Sequence, residues 1–393
     1  MATPQTDATA RFDAITAGQL RSVGSLKWSE FPDMLPAWVA EMDFGLAQPI
    51  AARVAETVAS GRVGYLPNVL IPGMGRAASA FMAETHGWDV PAEWIRPVTD
   101  VLTALECTVR FFTPETGRIV VMTPAYMPFM WLPALYGREL VQLPMVRAAS
   151  WDVDFAGLED ALAPGDLLIL CNPHNPIGKV YTRAELERLA GIVERRGARV
   201  FADEIHAPLV YDGGTHVPYA SVSAAAAGHT VTATSASKAW NLAGLKTAQL
   251  ILSNAADAAV WKAKGGFKEH SATPLGVVAN TVAYNDARPW LAEVLAYLDR
   301  NRMLLAGLVA EQLPGASFAM PEGTYLAFID CNALDLGGFE GTPTEFFAAR
   351  AGVALTEGGL CGDAGKGFVR LNFATPAPIL RQIVEQMGAA LRA

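Results

Sequence analysis

The feature that most constrains this chain is a series of short apolar segments that alternate with helical sequence. Each segment is four to six residues long, and the segments are Arg118–Met122, Glu139–Leu143, Asp166–Cys171, Arg199–Ala202, Thr230–Thr234 and Thr247–Leu252. Continuous apolar strands separated by helices are typical of a mostly parallel sheet that is covered on both faces. The sequence therefore predicts an α/β domain, whose ligands bind outside the carboxyl ends of the strands.

The chain of 393 residues is too long for one small core. We expect an irregular, Trp- and Pro-rich arm at 1–46 that lies against another surface, a large domain at 47–285, and a smaller α+β domain at 286–393. The small domain should begin with a long helix at 287–312. Its other predicted elements are strands at Ser317–Met320, Tyr325–Asp330 and Phe368–Phe373, and a closing helix at Ala377–Leu391.

Composition excludes several classes of protein. Apolar residues make up 51% and charged residues 18%, as expected of a well-packed soluble protein, and the formal charge of -9 argues against a nucleic-acid surface. No apolar run approaches the roughly 20 residues of a membrane helix. The N-terminus lacks an apolar signal region, and the four cysteines form no CxxC pair, so a reduced, cytoplasmic protein is expected. The six histidines show no metal-binding spacing, so no metal site is predicted.

Polar residues follow two of the predicted strands. Asn172-Pro173-His174-Asn175-Pro176 comes after one strand, and its two Asn-Pro pairs predict a rigid turn, which could be purely structural. Asp203 comes after the next strand. A carboxylate at a buried strand end is costly unless it meets a positive partner. That partner could be a protonated pyridine nitrogen or a protein cation in a structural salt bridge.

Lys238 lies just past another predicted strand, among the small hydroxyl residues Ser235 and Ser237, and Lys246 follows eight residues later. Small hydroxyls and a distal cation suit a phosphate and leave Lys238 free to act as a nucleophilic amine. Taken alone, Lys238 could equally be a solvated loop lysine. Ser235-x-x-Lys238 also fits the motif of serine acylases, but the companion motifs of that class are missing.

Three further features could bind a ligand. Asp100 is suited to cap a helix, and the backbone N–H groups that follow it at Val101 and Leu102 would form an anion site. Tyr126 lies between two prolines after a strand, where it could stack on a planar ring or simply pack in the core. Arg370 lies inside an apolar strand and requires a carboxylate from the protein or from a substrate.

Taken in order, these motifs resemble those of fold-type I pyridoxal-phosphate enzymes of aminotransferase class I/II, over about residues 30–390. Within that group the chain is similar to the cystathionine beta-lyase (C–S lyase) branch. The segments that carry this similarity are Trp38–Phe44, Asn172–Pro176, Asp203–His206 and Ser237–Lys246. The resemblance implies a large domain with a mostly parallel sheet, a smaller α+β domain, and pyridoxal 5'-phosphate as the cofactor.

The resemblance also implies roles for single residues. Lys238 would bond covalently to the cofactor and then move the substrate's Cα proton, and Asp203 would pair with the pyridine N–H. Tyr126 would stack on the ring, and Asn175 would bond the ring's O3′. The phosphate would be held by Val101, Leu102, Ser235, Ser237 and Lys246.

Further implied roles concern the substrate and a second subunit. Arg370 would take the α-carboxylate of an amino-acid substrate, with Asn175 beside it. Tyr65 would reach the phosphate of a neighbouring subunit, which implies a homodimer with shared active sites and an arm that packs on the small domain and the partner. His206 lies near O3′, where many aminotransferases have a tyrosine, and this favours the lyase branch.

The implied reaction is β-elimination from cystathionine or another S-substituted L-cysteine, which yields a thiol, pyruvate and ammonia. The alternative with the same cofactor is an aminotransferase acting on a neutral L-amino acid. A third reading rests on Gly73-Met74-Gly75-Arg76-Ala77-Ala78, which fits a dinucleotide fingerprint but follows only a short apolar run.

Three departures from the family pattern bear on these expectations. Asp100 stands where the phosphate turn usually begins with Gly or Ser, so its side chain must turn away, as a helix cap would. Glu41 replaces an Asp that is more usual in this branch. Gly358–Gly362 replaces a Phe-Gly pair, so packing on the substrate side should differ.

Overall fold

The structure is a computed structural model that describes residues 5–148 and 150–393. Its helices are α1 Gln5–Asp13, α2 Ala17–Val23, α3 Leu26–Ser29, α4 Gln48–Ala59, α5 Ile71–His86, α6 Val101–Phe112, α7 Pro128–Leu135, α8 Phe155–Ala161, α9 Arg183–Arg196, α10 Ala224–His229, α11 Ala236–Ala239, α12 Ala255–Lys264, α13 Gly266–Glu269, α14 Pro274–Asp286, α15 Arg288–Gln312, α16 Pro343–Phe346 and α17 Ala377–Arg392.

The strands are β1 Leu35–Pro36, β2 Ile95–Val98, β3 Ile119–Thr123, β4 Leu140–Pro144, β5 Val146–Arg147, β6 Trp151–Asp152, β7 Leu167–Cys171, β8 Arg199–Asp203, β9 Thr230–Thr234, β10 Ala248–Leu252, β11 Leu326–Asp330, β12 Val353–Ala354, β13 Thr356–Glu357 and β14 Phe368–Asn372.

A seven-stranded sheet in the order β2-β10-β9-β8-β7-β3-β4 forms the centre of the large domain. The strands from β9 to β4 are parallel, and β10 runs antiparallel to both of its neighbours. All six predicted strands are present in it. The predicted α/β fold with a mostly parallel sheet is therefore confirmed.

Strand β2 was missed because it has only four residues and contains Pro97. Proline cannot donate to a ladder, so within sheets it is confined to edge strands and strand starts. β2 is the edge strand of this sheet, where one side of the backbone has no neighbour to pair with.

Both faces of the sheet are covered, as expected for a parallel sheet of apolar strands. Helices α6 and α12 supply Leu105 and Trp261 to the core on one face, where they cluster with Phe201. Helix α9 supplies Leu186 and Leu189 to the core on the other face.

The C-terminal part contains α15, α17 and the antiparallel sheet β11-β14-β13. The predicted long helix at 287–312 is present as α15. The predicted strand Ser317–Met320 is wrong: only Ser317 pairs, through a single bridge to Asp330 at the end of β11. The segment ends at Pro321, which cannot donate to a ladder. The domain boundaries at 46/47 and 285/286 stay predictions.

The arm is not irregular, as the sequence predicted, but contains α1, α2 and α3. Thr16 and Gln19 form a capping box that begins α2, a local signal that the sequence interpretation overlooked. Phe12 of α1 packs against Phe44 and against Tyr297 of α15, with ring centroids 4.7 Å and 5.1 Å apart. The arm thus lies on α15, while its contact with a partner subunit stays a prediction.

A buried ion pair fixes the end of the arm. Lys27 Nζ lies 2.7 Å from Asp43 Oδ2, with both side chains almost fully buried, and Trp28 Nε1 donates to Asp43 Oδ1 at 2.9 Å. Removal of one partner from a buried pair leaves an uncompensated charge, which is far costlier than loss of an exposed pair. This pair therefore holds residues 38–44 in place against the rest of the molecule.

We expect Asp43→Asn to lower the free energy of unfolding by about 3–5 kcal/mol, because Lys27 is then left buried without its counter-charge. Urea unfolding followed by tryptophan fluorescence measures this. The matched control is Asp363→Asn, which breaks an ion pair whose side chains are 75% and 72% exposed and should change little. If the two variants unfolded at the same urea concentration, the role given to the buried ion pair would be contradicted.

Candidate active site

The predicted site residues meet in one cavity of about 290 Å³. It lies at the carboxyl ends of β3, β7, β8 and β9, and residues of the arm and of β14 close it. The predicted residues that line it are Val101, Leu102, Tyr126, Asn175, Asp203, His206, Ser235, Ser237, Lys238, Lys246 and Arg370. Tyr65 is the exception: it is 92% exposed and lies outside this cavity.

Lys238 lies in α11, directly after β9, and its half-buried amine points into the cavity. Its Nζ donates to the backbone carbonyl of Ala40 at 3.0 Å. Burial and the nearby Arg370 lower the pKa of Lys238 to about 8, although Glu41 and Asp203 act to raise it. A much larger fraction of this amine is therefore uncharged, and so nucleophilic, at neutral pH than for an ordinary lysine.

Asp203 is the last residue of β8 and is buried at the bottom of the cavity. Burial raises the pKa of Asp203 to about 7, although Lys238 and a hydrogen bond from the Ile205 N–H at 3.2 Å act the other way. Within the described residues no protein cation forms an ion pair with it. The structural salt bridge that was one alternative is therefore not formed, and the carboxylate is open to a cationic ligand.

Arg370 lies in β14 with its guanidinium buried. Nη2 donates to the carbonyl of Trp38 at 2.9 Å and to Thr356 Oγ1 at 3.1 Å, and Nη1 donates to Asn175 Oδ1 at 3.2 Å. Its Nε has no partner, and it forms no ion pair with any residue of 5–148 or 150–393. Burial lowers the pKa of Arg370, because removal from water disfavours the charged form. A bidentate carboxylate from a ligand would satisfy it.

One end of the cavity is suited to an anion. Val101 and Leu102 begin the twelve-residue helix α6, where backbone N–H groups have no partner within the helix. Asp100 Oδ1 caps this helix, accepting from the Thr103 N–H at 2.8 Å, as the sequence predicted. Its other oxygen lies 3.6 Å from Lys246 Nζ.

Two serine hydroxyls lie at the same end. Ser235 Oγ donates to the carbonyl of Thr247 at 2.7 Å and is 2.7 Å from Ser237 Oγ. Ser235 also caps α11 by accepting from the Ser237 N–H. Since the Ser235 proton is donated to Thr247, the donors that suit a phosphate are the Ser237 hydroxyl, the Lys246 amine and the N–H groups at the start of α6.

Two ring side chains complete the cavity. Tyr126 is half-buried and packs edge-on against Phe129, with ring centroids 5.4 Å apart. His206 is buried with its Nδ1 unpartnered, and burial lowers the pKa of His206 to about 3, so the imidazole is neutral at neutral pH.

Sequence reasoning missed several residues of the site. Thr356 contacts Arg370 only because β13 pairs with β14 in a register that places the two residues opposite each other. Tyr325 donates to the carbonyl of Ala40 at 2.9 Å, the same oxygen that accepts from Lys238. No local pattern signals either contact. Cys171 lines the cavity. It directly precedes the Asn-Pro turn, and this position could have identified it from the sequence.

The other readings of the sequence find no support. The segment Gly73–Ala78 lies inside α5 and does not connect a strand to a helix, as a dinucleotide fingerprint would.

Across the described part of the chain no group of three or more His, Cys, Asp or Glu side chains could hold a metal ion. None of the helices within those residues is long and apolar enough to span a membrane.

The chain is similar to known proteins over nearly its whole length. The family model "Aminotransferase class I and II" matches residues 39–386. The chain is 35% identical to the cystathionine beta-lyase of Corynebacterium glutamicum, over 95% of this chain and 98% of that protein. It is 31% identical to the cystathionine beta-lyase PatB of Bacillus subtilis, over 93% and 96% of the two chains.

A solved structure is similar over nearly the whole length. It is the pyridoxal-phosphate-bound C–S lyase of Staphylococcus hominis, with a TM-score of 0.87 and 27% identity, over 97% of this chain and 98% of that one. The chain belongs to the aminotransferase class I and II family, and within it to the cystathionine beta-lyases. The resemblance predicted from the sequence is confirmed.

The lowered pKa of Lys238 predicts how its amine reacts. With a small aldehyde and a borohydride trap, we expect the labelling rate at Lys238 to rise with pH and to be half-maximal near pH 8. The reason is that only the uncharged amine attacks an aldehyde. Mass spectrometry of the labelled peptide measures the rate, and the exposed Lys366 serves as an internal control. Half-maximal labelling near pH 10.5, the ordinary pKa of lysine, would contradict the lowered pKa of Lys238.

Proposed function

We propose that this protein is a pyridoxal-phosphate-dependent carbon–sulfur β-lyase that cleaves cystathionine or another S-substituted L-cysteine to a thiol, pyruvate and ammonia. The observation that carries the proposal is the amine of Lys238, with its lowered pKa, in one cavity with the unpaired carboxylate of Asp203 and the unpaired guanidinium of Arg370. The two cystathionine beta-lyases named above, at 35% and 31% identity, support it.

The residues of the cavity fit pyridoxal phosphate group by group. The aldehyde suits the amine of Lys238, and a protonated ring nitrogen suits Asp203, which lacks a cation. The phosphate suits the donors around Ser235 and the start of α6, and the ring face suits Tyr126. When bound, this cofactor supplies an electron sink for the charge left at Cα.

Arg370 binds and orients the substrate in this proposal. Its Nε, which has no partner among the described residues, would donate to the α-carboxylate, while Asn175 and Thr356 hold the guanidinium in place. A fixed carboxylate places the Cα–H bond toward Lys238. Orientation of this kind lowers the barrier without new chemistry.

Lys238 then acts as the base. Its uncharged amine takes the proton from Cα, and the thiolate departs from Cβ with the electrons of the C–S bond. In the structure the carbonyl of Ala40 accepts from this amine at 3.0 Å. Release of the remaining unsaturated amino acid and its hydrolysis give pyruvate and ammonia.

The charges in the cavity argue against transamination of a dicarboxylate. Among the described residues that line it, Arg370 is the one arginine, while Lys238 and Lys246 are assigned to the cofactor. A distal carboxylate on the substrate would therefore lack a dedicated cation. This supports a substrate whose side chain is uncharged or, as in cystathionine, carries its own counter-charge.

The proposal includes a homodimer that acts in the cytoplasm. Tyr65, at 92% exposed, would reach the phosphate of the neighbouring subunit, and nearby Val69 is also exposed, at 81%. Exposed apolar side chains close to a functional residue are suited to a protein interface. The four cysteines, all buried and free, support a reducing compartment.

The proposal predicts pyruvate from cystathionine without any added 2-oxo acid. A coupled lactate dehydrogenase assay measures it, and Lys238→Ala should reduce the rate by at least about 1,000-fold, because both the cofactor's attachment and the base are lost. Lys264→Ala, a change in α12 outside the cavity, is the control. Product that forms only when a 2-oxo acid acceptor is present would instead identify an aminotransferase.

A further inference from the structure

One acidic side chain lies at the end of the cavity that is suited to an anion. Asp100 Oδ2 lies 3.6 Å from Lys246 Nζ, and among the described residues this is the one ion pair that Lys246 forms. Both residues line the cavity. A carboxylate therefore lies beside the lysine that the proposed function assigns to a phosphate, and its charge has the same sign as that ligand.

The other oxygen of Asp100 binds the start of α6. Oδ1 accepts from the Thr103 N–H at 2.8 Å and from Thr103 Oγ1 at 2.9 Å. The first N–H groups of this twelve-residue helix are suited to an anion, and Asp100 uses one of them. The N–H groups of Val101 and Leu102 have no partner within the helix. The carboxylate thus binds both the lysine and the helix start, and leaves two N–H groups to a ligand.

The position of Lys246 is fixed mainly by its backbone. Its φ of 49° lies in the left-handed region, which lysine rarely adopts. The Thr273 N–H donates to the Lys246 carbonyl at 3.3 Å, and the Thr273 hydroxyl donates to the carbonyl of Leu245. The ion pair with Asp100 is weak by comparison, because its side chains are 56% and 40% exposed. Loss of the Asp100 charge therefore leaves Lys246 at the same place.

The side-chain charges at this end of the cavity balance before any ligand binds. The other cations that line the cavity are Lys238 and Arg370, which the proposed function assigns to the aldehyde and to the substrate. A phosphate ester carries a charge of about −1.5 to −2 at neutral pH. Since Asp100 offsets the charge of Lys246, the phosphate meets N–H and hydroxyl donors but no net positive charge from the side chains that surround it.

We propose that Asp100 determines the affinity for the cofactor: it is an internal anion that competes with the phosphate for Lys246 and the start of α6, and so weakens the binding of pyridoxal phosphate. This inference rests on the proposed function. It assigns Asp100 a second role beside that of helix cap.

The test is the dissociation constant of pyridoxal phosphate, measured by fluorescence titration of cofactor-free protein. Asp100→Asn removes the charge and keeps the cap, because Asn and Asp are about equally good N-cap residues. We expect this variant to bind the cofactor about three- to tenfold more tightly than wild type, since a charge that repels the phosphate is lost. Asp100→Ser, which also keeps a cap, should give a similar gain.

Two controls restrict the effect to the phosphate. Pyridoxal has the same ring and aldehyde but no phosphate, so its affinity should differ by less than about twofold between wild type and Asp100→Asn. Asp154→Asn is the matched variant and should bind pyridoxal phosphate like wild type. Asp154 caps α8 by accepting from the Gly157 N–H at 2.9 Å, but it does not line the cavity.

The gain in Asp100→Asn should also depend on salt. It should shrink as sodium chloride is raised from about 0.02 to about 0.5 M, because salt screens the interaction between partly exposed charges. A gain that is the same at both salt concentrations would contradict repulsion between Asp100 and the phosphate.

Other results assign Asp100 a different role, and each of them overturns the inference. If Asp100 only caps α6, Asp100→Asn binds pyridoxal phosphate as wild type does. If Asp100 instead holds Lys246 in position for the phosphate, both Asp100→Asn and Asp100→Ser bind more weakly than wild type. An equal gain for pyridoxal and pyridoxal phosphate would show that the charge acts on another part of the cofactor.

The outcomes separate this inference from the proposed function. Wild type that binds pyridoxal phosphate, with no tighter binding in Asp100→Asn, overturns the role of Asp100 alone. Wild type that takes up no pyridoxal phosphate overturns the proposed function and this inference with it.

Discussion

Two cations, Lys238 and Arg370, donate hydrogen bonds to the backbone of one short segment of the arm, residues 38–42. The carbonyl of Trp38 accepts from Arg370 at 2.9 Å, and the carbonyl of Ala40 accepts from Lys238 at 3.0 Å. Neither cation has an ion-pair partner in the part of the chain that the structure describes. Carbonyl groups hold them in position without neutralising them, so both charges stay available to a ligand.

That segment is itself fixed from two sides. Asn241 accepts from the Met42 N–H and donates to the Met42 carbonyl, both at 3.0 Å. Asn372 Nδ2 donates to the carbonyls of Val39 and Glu41, both at 2.7 Å. One asparagine follows α11 in the large domain and the other ends β14, so the site is complete only when arm, large domain and C-terminal part have all packed together.

The sequence predicted what is encoded locally. Six of the seven strands of the main sheet were predicted because each is a continuous apolar run, and Asp203 and Lys238 were predicted as site residues because they closely follow such runs. What the sequence could not predict depends on distant pairing, as for Thr356, which meets Arg370 through strand register. The helices of the arm are short, and the aromatic and proline residues around them are typical of irregular structure; the capping box of Thr16 and Gln19 is a local signal for α2.

The proposed function requires that the amine at position 238 carries the cofactor. The direct measurement is to load the protein with pyridoxal phosphate, reduce it with borohydride, digest it and map the modified lysine by mass spectrometry. We expect stoichiometric pyridoxyl label on Lys238 and none on Lys246. Label on Lys246, or label spread over exposed lysines such as Lys366 in proportion to their accessibility, would contradict it.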